Sequence, residues 1–299
     1  MGRIAFVFSG QGDQYPGMGR ELYEKYPAAA RVFQLCDTLR PGTMRQCFSG
    51  TSEELKETKN TQPCLFAMEL AAAAVLAEKG IVPHAVAGFS LGEVAAAAVA
   101  GCFDSETGFR LVCRRGELMQ AEAEKHDTAM AAVVRLTAGQ VIALCEKYSC
   151  LYPVNFNCPG NTTVSGLAAQ MPGFCADVKA AGGRALPLKV KGAFHSPFMQ
   201  EAADAFAGAL AKADIRKNGI PLYANVTAQP YGDNVPEMLA KQICSPVQWE
   251  SIVRNMIDSG IDTFIEIGPG RTLTNMIQKI DTRVTALPVT AYLEEAAIC

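Results

Sequence analysis

The sequence predicts an α/β fold: a large hydrolase-like parallel-sheet domain with a nucleophile elbow, plus an inserted ferredoxin-like small subdomain of βαββαβ order. Three observations carry this expectation. Short apolar strands alternate with helical segments in the first and last parts of the chain, as in a parallel sheet covered on both faces. The middle of the chain changes to the order βαββαβ. A Gly-x-Ser-x-Gly run, Gly88-Phe89-Ser90-Leu91-Gly92, falls between a strand and a helix, the context in which that run has chemical meaning.

The elements follow in order. A buried strand over 4–8 leads into the Gly-rich loop Ser9-Gly10-Gln11-Gly12-Asp13-Gln14. Helical segments extend to about residue 39, and a longer helix rich in Ala and Leu covers about 63–79. An apolar strand over 85–89 ends at Ser90, and 91–100 is a helix packed with alanine. The next helix, 105–124, carries Arg114 and Arg115. The inserted unit occupies 126–193, with strands at 129–136, 152–157, 162–165 and 185–190 and helices at 138–148 and 168–181. That leaves 1–125 and 194–299 as the large domain. In its second part, Met199, Ala203, Phe206 and Leu210 fall on one face of a helix over 198–214. A strand over 222–226 follows, and two helices flank Ser245-Pro246-Val247-Gln248-Trp249. A buried strand over 263–267 then runs into Gly268-Pro269-Gly270 and a helix over 273–280.

Composition narrows the class. The 299 residues are 49% hydrophobic and 19% charged, which suits a packed core and not disorder. A formal net charge of -3 gives no global pull toward nucleic acid. The 11 cysteines are scattered without a Cys-x-x-Cys pair, so they read as reduced thiols in a cytoplasmic protein. Cys and His are nowhere clustered at ligand spacing, so no metal is expected. The apolar runs at 70–77 and 94–103 fall well short of the roughly 20 residues that cross a bilayer, so no membrane contact is expected.

A serine hydroxyl attacks a carbonyl only when a base takes its proton. The elbow lifts Ser90 above its strand and aims helix N–H groups at the reacting carbonyl; Gly88 and Gly92 make room for the turn. The base should be one of three histidines. His84 begins the strand that ends at the elbow, so it lies at the far end. His126 lies in a charged, solvated stretch. His195 sits where the small subdomain returns to the large one, at a cleft edge, and is the candidate base. For the oxyanion, the Leu91 N–H follows the nucleophile directly, and Gly10-Gln11-Gly12 fits a second donor loop. That loop could also cradle phosphate, but Tyr15 stands where a dinucleotide fingerprint needs its third glycine.

Together these segments resemble the malonyl-CoA:acyl carrier protein transacylases of fatty-acid synthesis and the related acyltransferase domains of polyketide synthases. Gly10-Gln11-Gly12-Asp13-Gln14, Gly88 to Glu93, Arg115-Gly116, Ala193-Phe194-His195-Ser196, Pro246-Val247-Gln248-Trp249 and Glu266 to Gly270 look like the family's motifs, in order. The resemblance implies transfer of malonyl from malonyl-CoA to acyl carrier protein through an acyl-Ser90, with no permanently bound cofactor. It implies His195 as base, oriented by a backbone carbonyl that maps to Gln248, and the N–H groups of Gln11 and Leu91 as the oxyanion hole. Arg115 would bind the malonyl carboxylate bidentately. Asn155 and Asn157 would line the pocket. Phe89 departs from the family, which usually has His there, and would alter the pocket wall. The segment holding Arg184, Lys189 and Lys191, free of acidic residues, is a candidate docking patch for the acidic carrier. A stand-alone polyketide synthase acyltransferase is the alternative; a serine esterase or thioesterase would need a third, acidic catalytic residue.

Overall fold

The structure, a computed structural model, describes residues 2–188, 190 and 192–298. Its strands are β1 (Ile4–Phe8), β2 (Ala85–Gly88), β3 (Thr128–Val134), β4 (Leu151–Cys158), β5 (Asn161–Leu167), β6 (Arg184–Pro187), β7 (Leu222–Tyr223), β8 (Thr263–Ile267) and β9 (Thr285–Pro288). Five of them form one parallel sheet in the order β7-β2-β1-β8-β9. β1, β2 and β8 are buried almost end to end. This is why they read as continuous apolar runs and not as alternating ones. In such a sheet ligands bind beyond the carboxyl ends of the strands. There the loop after β1, the turn after β2 and the Gly268-Pro269-Gly270 run after β8 come together.

The second sheet is antiparallel, in the order β4-β5-β3-β6. That is the strand arrangement expected of a βαββαβ unit. Helices Ala138–Cys145 and Met171–Ala180 supply residues to its own apolar cluster, around Val133, Val141, Val164 and Phe174. The helix Ala138–Cys145 starts with a capping box between Thr137 and Gln140. The other face turns toward the large sheet. Two bonds tie β4 of this sheet to the segment that leads into the helix Trp249–Asp258 of the large domain: Val247 N–H donates to the Val154 carbonyl (2.8 Å), and Phe156 N–H donates to the Val247 carbonyl (2.9 Å).

Four elements depart most from expectation. The helix expected to begin at Pro63 begins at Thr58, with Pro63 inside it. Its first turn is secured from outside: Thr58 N–H donates to Gln120 Oε1 (2.8 Å), and Asn60 and Thr61 donate to the Glu57 carbonyl. The segment expected as one helix over 198–214 is a 3-10 turn at Pro197–Met199 followed by a helix over Gln200–Leu210. β9 and the helix Val289–Ile298 were not expected at all.

Candidate active site

Ser90 sits at the tip of the turn between β2 and the helix Gly92–Val99, with φ at 54°. That left-handed conformation is strained for a residue with a side chain. The flanking glycines are required sterically. A Cβ on Gly88 would lie 1.9 Å from the Gly92 carbonyl carbon, and one on Gly92 would lie 2.3 Å from the Phe8 carbonyl oxygen. Asn225, fully buried, braces the turn: its Oδ1 accepts from Ser90 N–H (2.8 Å), and its Nδ2 donates to the Gly88 carbonyl (2.6 Å).

His195 meets Ser90 across the cleft. Ser90 Oγ–H donates to Nε2 at 2.7 Å, and Nδ1–H donates to the Gln242 carbonyl at 2.9 Å. One neutral tautomer satisfies both bonds. His195 also has a positive φ, 63°, and its N–H donates to the Ile243 carbonyl. Burial, helped by the charge of Arg115, pushes its pKa down to about 4. The imidazole is therefore uncharged, with Nε2 free to take a proton, across the physiological range. A pH profile of kcat/KM for acylation should accordingly have its acid limb near pH 4; a midpoint at the ordinary histidine value near 6.5 would contradict this geometry.

The expectation that the Gln248 carbonyl orients His195 is corrected. The Gln248 carbonyl accepts from Ile252 N–H (2.9 Å) at the start of the helix Trp249–Asp258. The carbonyl at His195 belongs to Gln242, in the 3-10 turn Gln242–Cys244. Both lie near the expected motif, but helix geometry commits the Gln248 oxygen elsewhere.

Arg115 is 1% exposed, on the helix Ser105–Ala123. Its Nη1 donates to Gln62 Oε1 (2.9 Å), and its Nη2 donates to Gln242 Oε1 (2.6 Å) and, more weakly, to Ser90 Oγ (3.4 Å). Desolvation lowers its pKa to about 10, which still leaves it fully charged at neutral pH. Leu91 precedes the helix Gly92–Val99, and Gln11 lies in the loop after β1. Both line a cavity of about 100 Å³ together with Ser90, His195, Phe89 and Gln62. A second lobe of about 300 Å³ shares Gln11, Phe89, Asn155 and Leu188 with the first and adds Asn157, Asn161 and Thr163. Asn155 and Asn157 each hold a buried Oδ1 with no partner among the described residues. Phe89 stands between the lobes, its ring edge-on to the buried Trp249 at 5.6 Å.

Three of the remaining positions, His84, His126 and Arg184, lie outside the cleft. His84, exposed, accepts from Ile4 N–H at the far end of the sheet. His126, also exposed, meets Phe198 edge-on. Arg184 is exposed on β6, whereas Lys189 and Lys191 lie outside the described residues. Four residues were not expected at the site: Gln62, Asn225, Gln242 and Glu93. None belongs to a short chemical pattern except Glu93, which closes the elbow run. Among the described residues no helix is long and apolar enough to cross a membrane.

Comparison with known proteins shows the family. Residues 5–292 match the family described as "Acyl transferase domain". The chain is 37% identical over 297 residues to the malonyl CoA-acyl carrier protein transacylase of Bacillus subtilis (strain 168), covering 97% of this chain and 94% of that one. The crystal structure of the transacylase of the same description from Clostridium perfringens superposes with a TM-score of 0.94 at 33% identity, covering 99% and 98% of the two chains. A malonyl-transacylase solved in complex with its type II polyketide synthase acyl-carrier protein gives a TM-score of 0.94 at 32% identity, covering 98% and 99%. An elbow serine bonded to a histidine, a buried arginine beside it and full-length likeness to these proteins lead to one conclusion: the chain is an acyltransferase and belongs to the malonyl CoA-acyl carrier protein transacylase family.

Proposed function

We propose that this enzyme moves malonyl from malonyl-CoA to the phosphopantetheine thiol of an acyl carrier protein, in the supply of fatty-acid synthesis, through a malonyl ester on Ser90. Ser90 Oγ attacks the thioester carbonyl as its proton passes to His195 Nε2. The oxyanion is held by the N–H groups of Gln11 and Leu91. The C–S bond breaks, and Nε2 returns the proton to the departing coenzyme A thiolate. In the second half, the carrier's thiol gives its proton to Nε2, attacks the ester and leaves Ser90 reprotonated. The Gln242 carbonyl keeps His195 in the required tautomer without adding a charge.

The observation that carries the malonyl reading is Arg115, buried, charged and 3.4 Å from Ser90 Oγ. Malonyl differs from acetyl by one carboxylate, and a guanidinium in a dry pocket is suited to bind it. A carboxylate there also offsets the cation that helps hold the His195 pKa down. The matching substrate thus strengthens the base that acts on it. The unpartnered Oδ1 atoms of Asn155 and Asn157 suit the amide N–H groups of a pantetheine arm in the wider lobe. Phe89 lends that passage an apolar wall. We read 126–193 as the small subdomain, with Arg184 at its edge as part of a carrier-docking surface.

Intact-mass measurement in an equimolar mixture of malonyl-CoA and acetyl-CoA tests this. The expected result is a malonyl adduct in excess, absent from Ser90→Ala. An adduct that persists in that variant would sink the assignment of Ser90, and an acetyl adduct in excess would sink that of malonyl.

A further inference from the structure

We infer that Glu93 is a positioning residue: by fixing which way the Gln242 side-chain amide faces, it holds the Arg115 guanidinium beside Ser90 with its charge available to the acyl carboxylate. The inference rests on the malonyl reading above and adds to it the residue that sets the selectivity of Arg115.

Glu93 is fully buried in the first turn of the helix Gly92–Val99, and it lines neither lobe of the cavity. It does not serve as the acid of a triad, because His195 Nδ1–H donates to a carbonyl. A buried carboxylate is costly unless it is fully hydrogen-bonded. Glu93 receives three donors. Asn225 N–H (2.9 Å) and Tyr231 O–H (2.7 Å) reach Oε1, and Gln242 Nε2 (2.7 Å) reaches Oε2.

The third of these bonds has a consequence at the active site. A glutamine amide has a donor end and an acceptor end, and its surroundings decide which faces where. Gln242 Nε2 is committed to Glu93 and to the Ser90 carbonyl (2.5 Å), which turns Oε1 toward Arg115 Nη2. The reverse orientation would set an NH2 against the guanidinium and an oxygen against both a carboxylate and a carbonyl. The three partners of Arg115 among the described residues (Gln62, Gln242 and Ser90) are neutral, so they anchor its fork without cancelling its charge.

Glu93→Gln is isosteric and tests this directly. The Asn225 and Tyr231 donors would keep the new amide oxygen at Oε1, so its NH2 would face Gln242. Gln242 would then turn its oxygen to Glu93→Gln and its NH2 to Arg115. The measurement is the malonyl-to-acetyl adduct ratio on Ser90 in mixed coenzyme A thioesters, with kcat and KM for each, in wild type, Glu93→Gln, Arg115→Ala and Tyr231→Phe. Glu93→Gln should lower the ratio by about 10-fold or more, mainly through KM for malonyl-CoA, approaching Arg115→Ala. Tyr231→Phe, which leaves the amide orientation intact, should keep the wild-type ratio. A proportional loss of both adducts in Glu93→Gln, or an unchanged ratio, would overturn the inference. If Glu93→Gln does not fold, Gln242→Leu removes the same acceptor while keeping its backbone carbonyl; an unchanged ratio there would overturn it equally. If Arg115→Ala itself leaves the ratio unmoved, the malonyl reading fails and this inference falls with it. If Arg115→Ala collapses the ratio and Glu93→Gln does not, the role of Glu93 alone is wrong.

Discussion

His195→Ala is expected to slow acylation of Ser90 by roughly 10⁴-fold, the upper range for loss of a general base. Of the three histidines, His195 alone reaches Ser90 Oγ, at 2.7 Å; His84 and His126 are exposed and lie elsewhere. The other polar side chain on Ser90 Oγ among the described residues, Arg115, is a donor and cannot take a proton. The loss should appear in kcat as well as kcat/KM, because the proton moves in the transition state. Single-turnover mass measurement of the Ser90 adduct gives the rate. A variant that keeps a tenth of the wild-type rate would require another base. The pH profile described above is a second check on the same residue, since it reads the protonation of Nε2 without a mutation.

Arg115→Ala is expected to lower kcat/KM for malonyl-CoA on the order of 10²-fold, equivalent to about 3 kcal/mol. The side chain is 1% exposed, with Nη2 3.4 Å from Ser90 Oγ, so water does not screen its attraction for a carboxylate as it would at the surface. The malonyl-to-acetyl ratio should fall with it, because acetyl has no carboxylate to lose. Equal losses for both thioesters would point to collapse of the pocket, since Gln62 and Gln242 would then have lost a shared partner. Arg115→Lys separates the two outcomes. It keeps the charge but not the fork, and should recover only part of the malonyl preference.

The parts of this site legible in the sequence are those whose chemistry is local. The elbow could be read because a strand, a small-residue turn and a helix are contiguous, and because Gly88 and Gly92 are dictated by backbone contacts within and beside that turn. His195 was legible as a candidate from its place at the junction of the two subdomains. The orienting carbonyl was not. Gln242 and Gln248 lie close together in the chain, and only the path of the backbone decides which oxygen faces the imidazole and which caps a helix. Gln62, Asn225 and Tyr231 carried no signal, since each acts through a partner more than fifty residues away.

The sequence by itself determined the α/β architecture and the inserted βαββαβ unit, because periodicity encodes them, and a contiguous motif made Ser90 the candidate nucleophile; Arg115 entered only through the resemblance to a family. The tertiary structure alone decided how those groups are held. It supplied the carbonyl on His195, the brace on the elbow and the neutral acceptors on Arg115. Hydrogen bonds depend on direction as well as residue type, and direction is set only when distant segments pack together.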